Sequence, residues 1–188
     1  VRDGGVFYTV SRNNRPILLP SRLGFTFRGA PPLRDGLRIT GSRLTSHDET
    51  WTQPWGEVAR VRDHHNELQV SVEESQAPGR RFVLAVRAFD DGVAFRYELP
   101  RQEALTDFTI MEELTEFSMA DDARAWWIPS FRPNRYEYLY RSSPVSTLDT
   151  VHTPLTMETK DGTHVVIHEA NLVDYAALCG WTLARAHA

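Results

Sequence analysis

Two alternating segments joined at Asp91-Gly92 constrain the fold more than any other feature of this chain. In residues 82–89 and 93–99, apolar side chains recur at every second position. A period of two is typical of a strand with one buried face. Asp-Gly between two such runs predicts a tight hairpin, because glycine adopts positive φ without steric cost. The chain is therefore predicted to be built on antiparallel sheet.

Other segments repeat this pattern. Asp161-Gly162 separates residues 155–159 from residues 163–168 and predicts a second hairpin. In residues 68–73 the apolar side chains at alternate positions predict a strand with one polar face. Turn residues recur between these segments. Together they predict an all-β protein of the antiparallel sandwich type.

Two segments are less clear. Residues 108–117 fit both helical and strand periodicity, and their threonines favour a strand. The surrounding residues 103–122 carry seven acids and no base, which predicts a solvated sheet face or loop. The only helical signal is a weak one at residues 176–178.

Composition excludes several classes of protein. The 188 residues include 21 basic and 25 acidic side chains, for a net charge of −4. This balance argues against a nucleic-acid or acidic-membrane partner, since both require a basic surface. No apolar run reaches the length of a membrane span. The single cysteine, Cys179, excludes an internal disulfide framework and a cysteine-based zinc site.

The histidines give little support for a metal site. His164 and His168 are four residues apart, a helical zinc-binding spacing, but the β-branched residues between them favour a strand. In a strand their Cα atoms lie roughly 13 Å apart, too far for one metal ion. We therefore reject zinc here. The pair His64-His65 is interpreted as a solvated pair beside the start of a strand.

No motif for nucleophilic or phosphate chemistry is present. The chain lacks Gly-x-Ser-x-Gly and a glycine-rich phosphate loop, and its Ser, His and Asp residues show no diagnostic triad spacing. A glycosidase needs two carboxylates facing each other across the substrate. The acid pairs here are adjacent in sequence, so on strands they point to opposite faces. They are poor candidates for a catalytic dyad.

Aromatic residues gather in two places. One group contains Trp51 and Trp55, followed by Glu57, and the other contains Trp126-Trp127 and the aromatic residues of 131–140. Sugars stack on aromatic faces, so either group can form a carbohydrate surface. The alternative is that these rings form the sandwich core or a face buried against another domain.

Seven short motifs follow one another along nearly the whole chain. They are Pro20-Ser21-Arg22-Leu23-Gly24-Phe25, Trp51-Thr52-Gln53-Pro54-Trp55-Gly56-Glu57, Asn66-Glu67-Leu68, Arg87-Ala88-Phe89-Asp90-Asp91-Gly92-Val93-Ala94-Phe95-Arg96-Tyr97, Glu113-Leu114-Thr115-Glu116-Phe117, Thr153-Pro154-Leu155-Thr156 and Glu169-Ala170-Asn171-Leu172-Val173-Asp174-Tyr175-Ala176. In this order they resemble the N-terminal domain of glycoside hydrolase family 97.

The resemblance implies an antiparallel β-super-sandwich of the galactose-mutarotase type. In the family this domain precedes a (β/α)8 barrel, which carries the catalytic carboxylates, and a smaller C-terminal β domain. The enzymes depend on calcium and cleave α-linked gluco- or galacto-configured sugars. Residues 1–188 are accordingly expected to be an N-terminal β-sandwich domain fragment without the barrel. The fragment is expected to be inactive alone and to contain no catalytic residue.

The resemblance also implies one metal ligand and a set of partners. The family's N-terminal domain gives one glutamate to the calcium ion, and the matching residue is Glu169. A strand-end carboxylate paired with Arg or His is the alternative role for it. The surfaces expected to face the sugar or the barrel contain Trp55, Glu57 and Trp127. The family suggests a bacterial protein that is periplasmic or exported.

Departures from the family pattern raise further expectations. His65 stands where the family commonly has tyrosine. Strands expected before residue 1 and after residue 188 are missing, so we expect an incomplete sandwich whose unpaired strand edges favour self-association. Two other functions stay open: a stand-alone carbohydrate-binding module, and a mutarotase-like enzyme that uses His168 and Glu169. As strand neighbours, those two residues face opposite ways.

Overall fold

The computed structural model describes residues 4–130, 137–169 and 182–187. Its strands are, in chain order, β1 (Phe7–Arg12), β2 (Arg15–Arg22), β3 (Phe25–Phe27), β4 (Ala30–Leu33), β5 (Leu37–Thr52), β6 (Arg60–Glu74), β7 (Arg81–Ala88), β8 (Gly92–Glu98), β9 (Ile110–Glu113), β10 (Arg124–Trp127), β11 (Arg141–Pro144), β12 (Leu155–Glu158), β13 (His164–Glu169) and β14 (Thr182–His187). A 3-10 turn, Val145–Thr147, follows β11. The described residues include no helix long and apolar enough to cross a membrane.

The strands form one large sheet and two small ones, with antiparallel pairing throughout. The large sheet has nine strands in the order β11-β10-β12-β13-β14-β8-β7-β6-β5. The small sheets are β1-β2 and β4-β3-β9. The small sheets pack on one face of the large sheet, which gives the layered sandwich predicted from the alternating sequence.

Both predicted hairpins are confirmed. Strands β7 and β8 are antiparallel, and the pair next to the Asp91-Gly92 turn is Ala88 with Val93. Strands β12 and β13 are antiparallel too, and the pair next to the Asp161-Gly162 turn is Glu158 with His164. In the ambiguous segment 108–117, only β9 is a strand. The weak helical signal at residues 176–178 lies outside the described residues.

The core lies between the large sheet and the small ones and has two parts. The larger part joins side chains of β6, β7 and β8 to those of β3, β4 and neighbouring loops: Val6, Leu23, Phe25, Phe27, Leu33, Leu37, Val72, Phe82, Leu84, Phe95, Tyr97 and Leu105. The second part lies under β10, β12 and β13: Ala123, Ala125, Trp127, Leu155, Met157, Val165 and Ile167.

The opposite face of the large sheet is polar. There the Arg87 Nε lies 2.7 Å from Glu67 Oε2, and Arg96 Nη2 lies 2.6 Å from Glu98 Oε1. Small side chains such as Ala85, which lies opposite Arg96, are buried between these ion pairs. One face of the sheet therefore carries the apolar core, and the other carries charge.

The hairpin of β5 and β6 is much longer than its neighbours. Strand β7 pairs with β6 only as far as Asn66, while β5 and β6 remain paired to Thr52 and Arg60. We call the projecting residues 47–65 the ribbon. Every residue of β5 after Leu37 is exposed, so this strand contributes almost nothing to the core.

Candidate functional site

Glu169 is the last residue of β13 and its side chain is exposed. Val165 and Ile167, at alternate positions before it, point into the core, so Glu169 continues the core-facing row beyond the apolar layer. Among the residues that the structure describes, no hydrogen bond or ion pair engages its carboxylate. A carboxylate held at a strand end in this way can be offered to a group outside this sheet.

A second carboxylate, Glu113 at the end of β9, is electrostatically coupled to Glu169. Although Glu113 keeps part of its surface in solvent, the surrounding protein desolvates its carboxyl and raises its pKa. The Thr115 hydroxyl opposes that rise by donating a hydrogen bond, and the negative charge of Glu169 adds to it. The charge of Glu169 is the smallest of these three influences on the pKa of Glu113.

A chain of hydroxyl groups leads from the core to Glu113. The Thr115 Oγ1 donates to Glu113 Oε1 at 2.5 Å. Since a hydroxyl has one proton, the Tyr97 OH, 2.6 Å from the same Oγ1, must donate to it. Burial raises the pKa of Tyr97 above its usual value, which keeps this donor protonated. Glu113 is exposed, as expected for the acids of residues 103–122, but its carboxyl also accepts this hydrogen bond.

This role of Glu113 was not predicted, although a signal was present. Glu113 and Thr115 belong to one of the seven family motifs, but the motif alone assigns them no contact. Only the pairing of β9 with β3 brings the end of β9 towards the core, with Glu113 opposite Phe25. Phe25 in turn packs on Tyr97 with ring centroids 4.5 Å apart.

The tip of the ribbon carries exposed aromatic and acidic side chains. Trp55 is 83% exposed and Trp51 is 47% exposed, and Glu57 is also exposed. Gln53 closes the loop, since its backbone N–H donates to the Ala59 carbonyl at 3.1 Å and its side-chain amide donates to the Val58 carbonyl. The tip is therefore a closed loop on which the Trp55 indole is exposed to solvent.

The sheet register separates this tip from Glu169. One row of paired residues crosses the sheet through Glu169, Thr182, Phe95, Val86, Leu68 and Leu44. Five strand spacings along this row span roughly 24 Å, and the eight residues from Leu44 to Thr52 add roughly 26 Å along the strand direction. Glu169 and Trp55 therefore do not line one monosaccharide-sized pocket on this chain.

Trp127 lies elsewhere again. It is 8% exposed and belongs to the second part of the core. Its indole Nε1 donates to the Ser143 Oγ at 3.1 Å, and the Arg141 guanidinium lies over the ring. The structure thus gives Trp127 the core role that was the alternative to a sugar-facing one. Its neighbour Trp126 points to the polar face and is half-buried.

The described histidine side chains belong to no group that could hold a metal ion. Within the described ranges, no cluster of three or more His, Cys, Asp or Glu side chains is arranged to hold a metal ion. His164 and His168 lie on strand β13, as predicted. The same strand puts His168 and Glu169 on opposite faces, so they form no acid–base pair of the mutarotase kind.

The interpretation of His64-His65 as a solvated pair at a strand start is wrong for His65. Both residues lie within β6, and His65 is only 5% exposed. Its Nδ1 lies 2.5 Å from Asp63 Oδ1. Its ring packs between His47 and Phe89, with centroids 5.0 Å and 5.1 Å away. The turn after β7 places Phe89 over this position, which excludes solvent from it.

Comparison with known proteins agrees with this geometry. The family model described as Glycosyl-hydrolase 97 N-terminal matches residues 1–183. A "Probable retaining alpha-galactosidase" of Streptomyces bingchenggensis is 34% identical over 176 residues, which cover 90% of this chain and 25% of that protein. A "Retaining alpha-galactosidase" of Bacteroides thetaiotaomicron is 23% identical, over 91% of this chain and 26% of its own.

Solved structures extend the comparison to the fold. A glycoside hydrolase family 97 enzyme from Pseudoalteromonas sp. strain K8, solved in complex with panose, superposes with a TM-score of 0.91 at 35% identity. The match covers 99% of this chain and 33% of that enzyme. The same enzyme has also been solved in complex with acarbose. A β-arabinopyranosidase shares the fold at a TM-score of 0.79 and 22% identity.

The chain spans about a quarter of the length of the curated relatives and a third of the matched structures. Its all-β layered fold, the order of its motifs and the match over residues 1–183 agree with one another. The chain belongs to the glycoside hydrolase family 97 N-terminal domain family.

Proposed function

We propose that this chain is the non-catalytic N-terminal domain of an α-glycoside hydrolase and that it packs on the catalytic barrel of that enzyme. The observation that carries the proposal is the family match over residues 1–183. Two curated relatives, named as a probable retaining and a retaining α-galactosidase, support it. The solved complexes of a related enzyme contain panose and acarbose, which supports an α-linked glucoside as substrate. The names of the curated relatives support an α-galactoside as the alternative. Acid and base catalysis would come from the barrel.

We further propose that Glu169 supplies one ligand to a calcium ion of the intact enzyme. Calcium takes six to eight oxygen ligands, and carboxylates are prominent among them. The fit to the chain is partial. Glu169 is an exposed carboxylate at a strand end, with the charge of Glu113 nearby, but the described residues hold no complete ligand group. Glu169 would thus complete a coordination shell whose other members lie on the barrel.

Calcium bound at such a site would act as a Lewis acid beside the glycosidic bond. The contribution of this chain is to hold the Glu169 carboxylate in place. Strand β13 pairs with β14 at six positions, and the last pair is Glu169 with Thr182. On the other side of β13, Leu155 pairs with Ile167, two residues before Glu169. The ligand position therefore has a rigid base.

The ribbon tip is proposed to face the barrel. Trp55 and Glu57 present an exposed indole and a carboxylate on a closed loop. The register puts this tip tens of ångströms from Glu169, so it would contact a different part of the barrel or a distant portion of the sugar chain. Trp127 is not included, since its ring is in the core.

The first test uses the 188-residue chain itself. We expect it to hydrolyse nitrophenyl α-glucosides and α-galactosides at the uncatalysed rate. In calorimetry, we expect calcium to bind with a Kd of about 1 mM or weaker, because one or two carboxylates cannot build a full oxygen shell. Saturable hydrolysis, or micromolar calcium binding by this chain, would contradict the proposed role.

A carbohydrate-binding module is the second candidate, favoured by the 83% exposure of Trp55. A glycan array probed with the native chain, Trp55→Ala and Val58→Ala separates the two. Val58 is an exposed apolar residue of the same loop and serves as the matched control. Binding that Trp55→Ala abolishes and Val58→Ala retains would establish this second function. No binding to any glycan would remove it.

An exported or periplasmic location is part of the proposal and is supported by the family resemblance alone. The single cysteine agrees with it, because no disulfide is required. Fractionation of the native bacterium, with the chain detected in the periplasm or medium, is the direct check. Detection only in the cytosol would contradict it.

A further inference from the structure

Strand β5 is a long open edge of the nine-stranded sheet. Within the described ranges its only strand partner is β6, and its residues from Arg38 to Thr52 are all exposed. The other edge strand, β11, is protected from edge pairing because it has only four residues and ends in Pro144. Strand β5 has sixteen residues and contains no proline, which would block edge pairing; its charged side chains are Arg38, Arg43, Asp48 and Glu49.

We propose that β5 is a self-association surface, on which a second copy of this chain pairs antiparallel about Ser46 and continues the sheet. The two-fold axis then runs normal to the sheet, midway between the two copies of Ser46, which lie opposite each other. Each residue of 41–51 lies opposite the partner residue that is equally far from Ser46 on the other side. Both members of each pair point to the same face of the joined sheet.

The order of charges along β5 is self-complementary in this register. Arg43 lies three residues before Ser46 and Glu49 lies three residues after it. Antiparallel pairing therefore puts each Arg43 opposite the Glu49 of the other copy, which forms two cross-strand ion pairs per dimer. Both side chains are exposed in the single chain. Glu49 Oε2 also lies 3.5 Å from His47 Nε2 there, and the cross-strand pair adds a guanidinium to this carboxylate.

Neighbouring registers lose this match. With the centre moved to Thr45, Arg43 faces His47 of the other copy and Glu49 faces Gly41. With the centre moved to His47, the two copies of that histidine face each other, and Arg43 faces Trp51. A centre between residues is excluded, because an axis normal to the sheet pairs only positions that share a face. Ser46 is thus the favoured centre.

The same register provides a site for an exposed aromatic ring. Trp51 is 47% exposed and falls opposite Gly41 of the other copy. An added Cβ at Gly41 meets nothing within 4 Å, so the space above this glycine is open. An aromatic side chain lying over a cross-strand glycine covers the glycine backbone and buries its own face. Charge and shape therefore favour one pairing.

The test is a charge swap followed by analytical ultracentrifugation of the 188-residue chain over micromolar to millimolar concentration. We expect a monomer–dimer equilibrium in the native chain. Arg43→Glu or Glu49→Arg alone should weaken dimerisation by about tenfold, since each change opposes like charges at two places. The double variant Arg43→Glu/Glu49→Arg should return to within about threefold of the native Kd, because the pairs re-form with reversed sign.

Arg60→Glu is the matched control, because Arg60 is exposed on β6, the strand that does not form the edge. It makes the same charge change and should leave the dimer unchanged. Circular dichroism of each variant checks folding, and amide exchange should show protection of β5 that falls on dilution. A chain monomeric throughout, a dimer insensitive to Arg43→Glu, or a double variant that stays monomeric would each overturn the proposal.

Discussion

The Arg80 guanidinium and the Glu74 carboxylate form a buried ion pair that closes the turn between β6 and β7. Arg80 Nε donates to Glu74 Oε2 at 2.9 Å, and its Nη2 donates to Oε1 at 2.5 Å. The remaining donors reach the carbonyl oxygens of Pro31 and Pro32 at 2.7 Å and 3.1 Å. Arg80 is 2% exposed, so this network ties β4 to the β6–β7 turn out of contact with water.

Removing the arginine should destabilise the domain strongly. Arg80→Met leaves the Glu74 carboxylate buried without its partner, which costs about 3–5 kcal/mol of unfolding free energy. Arg15→Met breaks the exposed pair with Asp161 and should cost much less, because solvent screens that pair. Urea unfolding of both variants measures the difference. Equal losses would mean that the Arg80 network contributes no more than a surface pair.

The same pair predicts a dependence of stability on pH. Burial acts to raise the pKa of Glu74, but hydrogen bonds from the Arg80 side chain and backbone, together with its charge, bring that pKa below the ordinary value. The folded state therefore binds this proton less readily than the unfolded state. The stabilisation by this pair is complete above the pKa of about 4.3 that a glutamate has in the unfolded chain. It is lost as the pH falls through the lower pKa that Glu74 has in the folded protein.

Stability measured from neutral to acid pH in native protein and Glu74→Gln tests this sign. The advantage of the native protein over the variant should be constant at neutral pH and shrink in acid. An advantage that grows as the pH falls would contradict the account of the pair.

The second Asp-Gly turn allows a backbone effect to be isolated. Gly162 has a positive φ of 81°, whereas Gly41 does not have a positive φ. At both positions an added Cβ meets nothing within 4 Å. Gly162→Ala should therefore destabilise the chain by about 1 kcal/mol through backbone strain. Gly41→Ala should be neutral or slightly stabilising. Thermal unfolding at low protein concentration compares them, and equal effects would exclude backbone strain as the cause.

The two tryptophans of the aromatic groups should respond in opposite ways. Trp127→Ala removes a core ring and should cost about 3–5 kcal/mol of stability. Trp55→Ala removes an exposed ring and should change stability by about 0.5 kcal/mol or less. Chemical unfolding of both variants measures this. A large loss for Trp55→Ala would show that the ribbon tip packs on the body of the domain.

The predictable part of the fold is the part with one buried face. Alternation and Asp-Gly turns located β7–β8 and β12–β13, because burial on one side imposes a period of two on the sequence. Strand β5 gave no such signal. Both of its faces are exposed after Leu37, so packing selects neither face, and polar residues run along its whole length.

For the candidate site, only a motif pointed to a residue. The role of Glu169 as a calcium ligand stays a prediction, and the structure shows that its side chain is exposed and influences the pKa of Glu113. His65 was misjudged because its burial comes from Phe89, which is 24 residues further along the chain. Arg80 is equally hidden in sequence, since its partners Pro31 and Pro32 lie on another sheet. Contacts of this kind follow from strand order, which local sequence does not encode.

If Glu169 is a calcium ligand of the intact enzyme, its replacement must weaken calcium binding. Calorimetric calcium titration of the full-length enzyme with Glu169→Gln measures this. The matched control is Glu158→Gln. Glu158 is the last residue of the neighbouring strand β12 and pairs with His164, at the end of β13 away from Glu169. We expect Glu169→Gln to weaken calcium binding by at least about tenfold, and Glu158→Gln to change it by about twofold or less. Unchanged calcium affinity in Glu169→Gln would contradict the claim.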